Sequence, residues 1–254
     1  MRPLLLRSSL LEGIGLPHGF STAAAGDGRS EAVRAAVARA GGWEGTLATA
    51  RQLHGTQAHW PLPGEPPAEA DALLAGPGLG VAIGTADCVP VLLADPGARL
   101  VAAVHAGWRG TIAGVVQAAL AEILRAGATP DGLFAAIGPH IGRCCYEVDE
   151  SLAARFRERF GAGVCEGQRL DLGRCNELLL REAGLTRIER VGGCSRCAVE
   201  ATGEPRFFSY RREGERAGRL LSFVGLPAAA ESELGPRGSG PGEGAARRPG
   251  RSVS

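Results

Sequence analysis

Three short apolar segments of the chain, residues 79–83, 89–94 and 100–104, are bounded by Gly, Pro or Asp. Continuous apolar runs of this length are typical of strands that are covered on both faces. Residues 111–126 instead have helical spacing, and this helix is predicted to end near Gly127. Its apolar positions are Ile112, Val115, Val116, Ala119, Leu120 and Ile123.

The alternation of extended and helical patterns continues toward the C-terminus. Residues 150–160 and 174–183 have the spacing of amphipathic helices. Further strands are predicted at residues 133–137, 187–191 and 206–210. No segment repeats at a fixed period. The pattern therefore predicts an α/β fold of mixed α and β elements, in which helices flank a mixed central sheet.

The chain has 254 residues, and its apolar pattern ends near residue 227. We expect residues 1–227 to form one domain, a size that a single hydrophobic core supports. Residues 228–254 are rich in Gly, Pro, Ser and Arg and contain almost no aliphatic side chains. Such a segment cannot offset its ordering entropy by burial, so we expect it to be a disordered tail.

Composition narrows the classes of partner. The formal net charge is +1 and the basic residues are spread along the chain, which argues against nucleic acid and anionic membranes. All 28 basic residues are Arg, so Lys Schiff-base chemistry is excluded and only Arg could clamp an anion. The seven Cys show no disulfide framework, and no apolar run resembles a signal peptide or a membrane span. We expect a cytoplasmic protein.

Three potential metal ligands lie at the ends of these segments. Cys88 follows one predicted strand, His105 ends another, and His54 lies in the segment QLHG. Two imidazoles and a thiolate satisfy three positions around a tetrahedral zinc ion and leave the fourth for water or substrate. Ligands this far apart in sequence converge only through the tertiary fold. Asp87, beside Cys88, could accept a hydrogen bond from a ligand imidazole.

Other polar residues border these segments. His18 precedes a predicted turn and could line the site from the other side. Arg109 starts a helix, where its charge and the free backbone N–H groups could hold an anion together. Tyr210 and Arg211 belong to the segment FFSYRR, which could clamp an anion or could form a solvated strand end.

The remaining histidines and the paired cysteines receive no chemical role. His59 is expected at the surface and His140 in a loop. The segment CSRC, residues 194–197, has no second CxxC to complete a structural zinc site. The adjacent Cys144 and Cys145 are expected to pack a loop.

Seven segments give the chain a resemblance to a known family. They are HGFST at 18–22, QLHG at 52–55, EADALLA at 69–75, TADCVPVLLAD at 85–95, VHAGWRG at 104–110, IGPHIGRCCYEV at 137–148 and FFSYRREG at 207–214. On these segments the chain resembles the laccase-domain family, also called the multicopper polyphenol oxidase or YfiH-like family. Ala23 and Ala75 stand where that family has Arg and Thr, so one anion contact is expected to be lost.

The resemblance implies zinc bound by His54, Cys88 and His105, with copper as the alternative metal. It implies a mixed-sheet α/β fold and purine nucleoside phosphorylase activity on adenosine, inosine and guanosine. Phosphorolysis of methylthioadenosine and deamination of adenosine are also implied. The implied partners are purine nucleosides and phosphate.

Within this interpretation Arg109 and Arg211 are candidates to position phosphate. Asp87 and Glu147 are the candidate proton-transfer groups. His18, Tyr210 and Arg211 are the candidate substrate-binding residues.

Three alternative functions remain open. A cysteine hydrolase would use Cys88 as nucleophile and His105 as base, but this leaves His54 without a role. A copper oxidase would need an axial Met and many histidines, whereas Met1 is the only Met and the chain has five His. A noncatalytic module that binds a metal or a nucleotide is the third. The metal-dependent enzyme is favoured because it uses all three donors.

Overall fold

The computed structural model describes residues 2–228, so residues 229–254 of the predicted tail lie outside the described residues. The strands are β1 (Leu5–Leu6), β2 (His18–Ser21), β3 (Thr46–Ala48), β4 (Ala50–Arg51), β5 (Ala58–His59), β6 (Ala68–Glu69), β7 (Ala72–Ala75), β8 (Leu79–Thr85), β9 (Val89–Asp95), β10 (Leu100–Ala106), β11 (Phe134–Ile137), β12 (Cys165–Glu166), β13 (Arg169–Leu170), β14 (Arg187–Arg190) and β15 (Leu220–Gly225). The α-helices are α1 (Ser9–Gly13), α2 (Glu31–Ala40), α3 (Trp108–Ala113), α4 (Val115–Arg125), α5 (Glu150–Phe160), α6 (Leu172–Glu182) and α7 (Tyr210–Glu213). None of these helices has the length and apolar character needed to cross a membrane.

Two mixed sheets form the centre of the described residues. The first has the strand order β1-β2-β15-β8-β3, and the second has the order β14-β11-β9-β10-β7-β5. Most neighbours are antiparallel, but β3 with β8, β5 with β7 and β14 with β11 pair in parallel. The short pairs β4-β6 and β12-β13 lie outside these sheets.

The two sheets pack against each other, and helices cover their outer faces. Between the sheets, Val81 and Ile83 of β8 share one buried cluster with Leu92 of β9 and Val101 of β10. Helices α3 to α6 cover the other face of the second sheet, and α2 covers the other face of the first. Each fully buried aliphatic side chain stabilises this arrangement by about 1.5–3 kcal/mol.

The predicted mixed α/β class is confirmed, although two packed sheets replace the expected central one. Strand β9 shows the physical reason. Val91 and Leu93 face the helices while Leu92 and Ala94 face the other sheet, and all are fully buried. A strand that is apolar on both faces has no alternation, so its pattern does not reveal whether a helix or a sheet covers it.

Two predicted elements differ from the structure. The helix expected at 111–126 begins at Trp108 and is divided into α3 and α4 at Gly114, whose φ of 101° lies in the left-handed region. Residues 206–210 do not form a strand. Phe207 is buried, and Ser209 ends the segment by accepting a hydrogen bond from the backbone N–H of Arg212, which caps α7.

Candidate metal centre and substrate cavity

Strand pairing brings Cys88 and His105 to one edge of the second sheet. Strands β9 and β10 are antiparallel, and His105 at the end of β10 lies opposite Pro90 near the start of β9. Cys88 directly precedes β9, so it lies beside the end of β10. Both donors are therefore attached to buried strands, which hold them more rigidly than loops would.

Asp71 connects His54 with His105. Its carboxylate accepts a hydrogen bond from His105 Nδ1 at 2.8 Å. It also accepts bonds from the backbone N–H groups of Leu53, His54 and Gly55 at 3.2, 2.9 and 2.7 Å. These bonds support His54 in a left-handed backbone conformation with φ of 61°. One buried carboxylate thus positions both histidines.

The three donors lie close enough to bind one ion. The ligand atoms of His54, Cys88 and His105 all lie within 4.8 Å of one another. The bond from His105 Nδ1 to Asp71 leaves Nε2 of that ring for a metal. A Cβ at Gly107 would lie 3.0 Å from Cys88 Sγ and from His54 Cδ2, so glycine keeps the space beside these donors. The donor set suits zinc with one open tetrahedral position.

Charges within the cluster change the acidity of its members. Burial raises the pKa of the Cys88 thiol, but the His105 and His54 imidazoles outweigh burial and lower this pKa to about 6. Burial lowers the pKa of His105, whereas the Cys88 sulfur and the Asp71 carboxylate raise it to about 9. The metal-free site therefore favours the thiolate, which is the form of cysteine that binds metals.

A cavity of about 710 Å³ opens over the three donors. This volume lies within the range of about 300–1,000 Å³ that small-molecule sites occupy. Strand β8, the loops that flank β9 and β10, and the start of α7 form its walls. The lining includes Gln52, Asp87, Trp108, Arg109, Ile141, Tyr146, Tyr210, Arg211, Arg219 and Leu221.

Two arginines stack on aromatic rings in the cavity wall. The guanidinium carbon of Arg109 lies 4.3 Å from the ring centroid of Trp108, and that of Arg211 lies 5.3 Å from the ring centroid of Tyr146. Arg211 Nη1 also donates to the carbonyl of Glu147 at 2.9 Å. Because these contacts are with rings and a backbone carbonyl, the guanidinium charges remain available to an anion.

Asp87 lines the cavity, but both of its carboxylate oxygens are engaged. Oδ1 accepts a hydrogen bond from Ser195 Oγ at 2.6 Å, and Oδ2 accepts one from the backbone N–H of Arg211 at 2.6 Å. Asp87 therefore fixes the backbone that carries Arg211. The hydrogen bond to a ligand imidazole that was expected of Asp87 is made by Asp71 instead.

Two of the predicted site residues lie away from the cavity. His18 is buried in β2, where Nδ1 donates to the carbonyl of Leu16 and Nε2 accepts from the backbone N–H of Ser8. The Glu147 side chain is exposed, and only its backbone carbonyl reaches the site, through Arg211. The structure therefore brings neither the His18 nor the Glu147 side chain, which were predicted for substrate binding and proton transfer, to the cavity.

Two residues that shape the site were not predicted from the sequence: Asp71, which holds both histidines, and Tyr146, which lines the cavity. Asp71 belongs to EADALLA, and an acidic residue directly before a buried strand was the available signal. Tyr146 lies in IGPHIGRCCYEV, directly after Cys144 and Cys145. Burial raises the pKa of Tyr146, so its phenol stays neutral and can donate a hydrogen bond into the cavity.

The family model described as "Multi-copper polyphenol oxidoreductase laccase" matches residues 22–227, and the chain belongs to this family. The chain is 39% identical over 238 residues to "Purine nucleoside phosphorylase" of Deinococcus radiodurans, a match that covers 84% of this chain and 90% of that protein. It is 37% identical over 159 residues to "Adenosine deaminase RL5" of an unknown prokaryotic organism, covering 59% of this chain and 58% of that protein. The crystal structure of the Bacillus licheniformis protein YfiH has a TM-score of 0.73 and 30% identity, covering 85% of this chain and 94% of that one. The family resemblance of the sequence segments is confirmed.

Proposed function

We propose that the protein is a zinc-dependent purine nucleoside phosphorylase that also deaminates adenosine. The observation that carries this proposal is the convergence of His54, Cys88 and His105 at a cavity of about 710 Å³. The substrate class follows from similarity to proteins named purine nucleoside phosphorylase and adenosine deaminase. The substrates would be phosphate with adenosine, inosine, guanosine or methylthioadenosine. A cytoplasmic location is part of this proposal.

The zinc ion would be held by His54, Cys88 and His105. When bound, it would supply Lewis-acid chemistry toward a substrate oxygen or a water molecule. Asp71 fixes the His105 ring through Nδ1 and fixes His54 through the backbone, so both imidazoles are oriented before any ligand arrives.

Phosphate would bind between the arginines of the cavity. Arg109 at the start of α3 and Arg211 at the start of α7 both line it, together with Arg219. Guanidinium groups pair with phosphate oxygens through two parallel hydrogen bonds, which fixes orientation as well as position. Asp87 would hold Arg211 in place through its backbone N–H. Phosphate would thereby be oriented toward C1′ of the ribose.

The purine would lie against the apolar part of the same cavity. Ile141, Leu221 and the ring of Tyr146 supply apolar surface there. The neutral phenol of Tyr146 could donate a hydrogen bond to a ring nitrogen of the purine. Tyr210 is half exposed at the rim, where it could cover bound nucleoside.

The test is turnover of inosine by protein of measured zinc content, with and without phosphate. We expect hypoxanthine and ribose 1-phosphate only when phosphate is present, and ammonia when adenosine is the substrate. Cys88→Ala should abolish both activities. His59→Ala is the matched control, because His59 pairs with Glu65 outside the cavity. A zinc-loaded protein that turns over no nucleoside would contradict the proposal and favour a noncatalytic binding module.

A cysteine hydrolase is the second candidate, and one arrangement favours it. Cys88 lies beside His105, whose Nδ1 is bound to Asp71, as in a triad of nucleophile, base and orienting carboxylate. This function leaves His54 unused. Hydrolysis by metal-free protein, lost on thiol alkylation, would support it, whereas the phosphorylase should lose activity on chelation and regain it with zinc.

A multicopper oxidase is the weakest candidate because the other histidines are engaged elsewhere. His18 and His140 are buried, and each uses Nδ1 to bind a carbonyl two residues away. His59 pairs with Glu65. Only His54 and His105 therefore remain as imidazole ligands, too few for a copper cluster.

A further inference from the structure

Four cysteines outside the candidate metal centre lie together at the surface. Cys144 and Cys145 belong to the turn between β11 and α5, while Cys194 and Cys197 belong to the loop that follows β14. Their sulfur atoms all lie within 4.8 Å of one another, and Cys144 Sγ is 3.6 Å from Cys197 Sγ. All four are free thiols. The pair that CSRC needs to complete a four-sulfur site is therefore present as the adjacent Cys144 and Cys145, and not as a second CxxC.

We propose that these four cysteines bind a zinc ion in a closed structural site. With Zn–S bonds of about 2.3 Å, a tetrahedral ion places its sulfur ligands about 3.8 Å apart. This value is close to the 3.6 Å between Cys144 Sγ and Cys197 Sγ and lies within the 4.8 Å that bounds all four sulfurs. Four thiolates fill every position, so no site is left for a substrate. Soft thiolate ligands also select zinc against magnesium and calcium.

The loop that carries Cys194 is arranged to support a charged sulfur. The turn is closed by a hydrogen bond from the Ala198 N–H to the carbonyl of Cys194 at 3.0 Å. Cys194 Sγ accepts a hydrogen bond from the Gly142 N–H at 3.3 Å. A backbone donor aimed at a sulfur stabilises a thiolate ligand far more than a neutral thiol.

Disulfide formation is the alternative chemistry for this cluster. It would join sulfurs in pairs at about 2.05 Å and leave the Gly142 N–H without a charged sulfur to stabilise. Arg196 lies in the sequence between Cys194 and Cys197, and its positive charge would offset part of the negative charge of a four-thiolate site. Cys144 and Cys197 are exposed, so an ion can enter from solvent.

A zinc ion here would fix one wall of the substrate cavity. Tyr146 directly follows the first cysteine pair and lines the cavity. Ser195 lies between the second pair and donates to Asp87, which in turn holds the backbone of Arg211. Arg212 donates to the carbonyls of Ser195 and Arg196. The cluster therefore joins two loops that each position a cavity residue.

The first test is the zinc content of protein purified under reducing conditions without chelator. We expect two ions per chain in the wild type, one in Cys88→Ala and one in Cys194→Ser, and none in the double variant. Cys165→Ser is the matched control and should keep two ions, because Cys165 is a half-buried free thiol outside both clusters. If the cavity site alone fails to bind, wild type and Cys88→Ala should each hold one ion that Cys194→Ser loses. A single wild-type ion that disappears in Cys88→Ala would overturn the proposal.

A second measurement uses Cys88→Ala, which keeps all four cysteines of the cluster and does not depend on how Cys194→Ser folds. With cobalt in place of zinc, we expect a thiolate-to-cobalt charge-transfer band. We also expect about four thiols to become reactive toward a thiol reagent only after chelation. Equal thiol reactivity before and after chelation, or disulfides found under reducing purification, would contradict the proposal.

Discussion

Replacement of Asp71 by Asn tests how the site is organised. The Asp71 side chain is 1% exposed, and its carboxylate accepts four hydrogen bonds, three from backbone N–H groups and one from His105 Nδ1. Asn keeps one acceptor oxygen and turns an NH₂ group toward the other donors, so about two of these bonds are lost. Hydrogen bonds to a charged group contribute about 1.5–3 kcal/mol each. We therefore expect the unfolding free energy of the metal-free protein to fall by about 3–6 kcal/mol.

The same substitution should weaken metal binding, because both histidines lose their orientation. Loss of a partner that orients a ligand typically costs about 10–100-fold in metal affinity. Zinc affinity is measured by competition with a chromophoric chelator, and stability by urea unfolding of the metal-free protein. Asp149→Asn is the control, since Asp149 is an exposed carboxylate that caps α5 by accepting from the Leu152 N–H. Unchanged zinc affinity in folded Asp71→Asn would refute the organising role of Asp71.

Three further changes probe the cavity. Gly107→Ala should lower zinc affinity, because the added Cβ would lie 3.0 Å from Cys88 Sγ. The control Gly163→Ala, whose Cβ would meet nothing within 4 Å, should leave zinc affinity unchanged. Equal zinc affinities of the two variants would contradict this prediction. In metal-free protein the alkylation rate of Cys88 should rise with pH around its pKa of about 6, since the thiolate forms above that pKa. A pH–rate curve with its midpoint above about 8 would contradict the lowered pKa. Arg211→Ala should raise the KM for phosphate by about 10–100-fold relative to the exposed control Arg216→Ala, and an unchanged KM would exclude this contact.

The pattern of apolar residues predicted most of the strands and helices, because buried positions are occupied by apolar side chains. The central strands β8, β9 and β10 appear as apolar runs, and α5 was predicted with the bounds that it has. The segment 206–210 was predicted incorrectly as a strand. The two adjacent phenylalanines are typical of a strand, but Ser209 caps the N-terminus of α7 instead. The break at Gly114 was missed because apolar spacing continues through it.

Within the site, residue chemistry was predictable and orientation was not. A thiol and two imidazoles at segment ends suggested a ligand set, and the fold brings them together. The partners of His18, by contrast, were not predictable, because all four residues of β2 are buried and the ring binds the backbone of Leu16 and Ser8. Asp71 acts by accepting hydrogen bonds from the backbone of residues 53–55, which are distant from it in sequence. The four surface cysteines come from two loops about 50 residues apart. Contacts of this kind depend on tertiary packing, which one sequence does not display.

We propose that His54, Cys88 and His105 together bind one catalytic ion at the base of the cavity. The most direct measurement is a crystal structure of zinc-saturated, active protein with anomalous data collected at the zinc edge. We expect a peak about 2.3 Å from Cys88 Sγ and about 2.0–2.1 Å from a nitrogen of each histidine, with one position open to the cavity. Active protein without an anomalous peak among these three residues would contradict it.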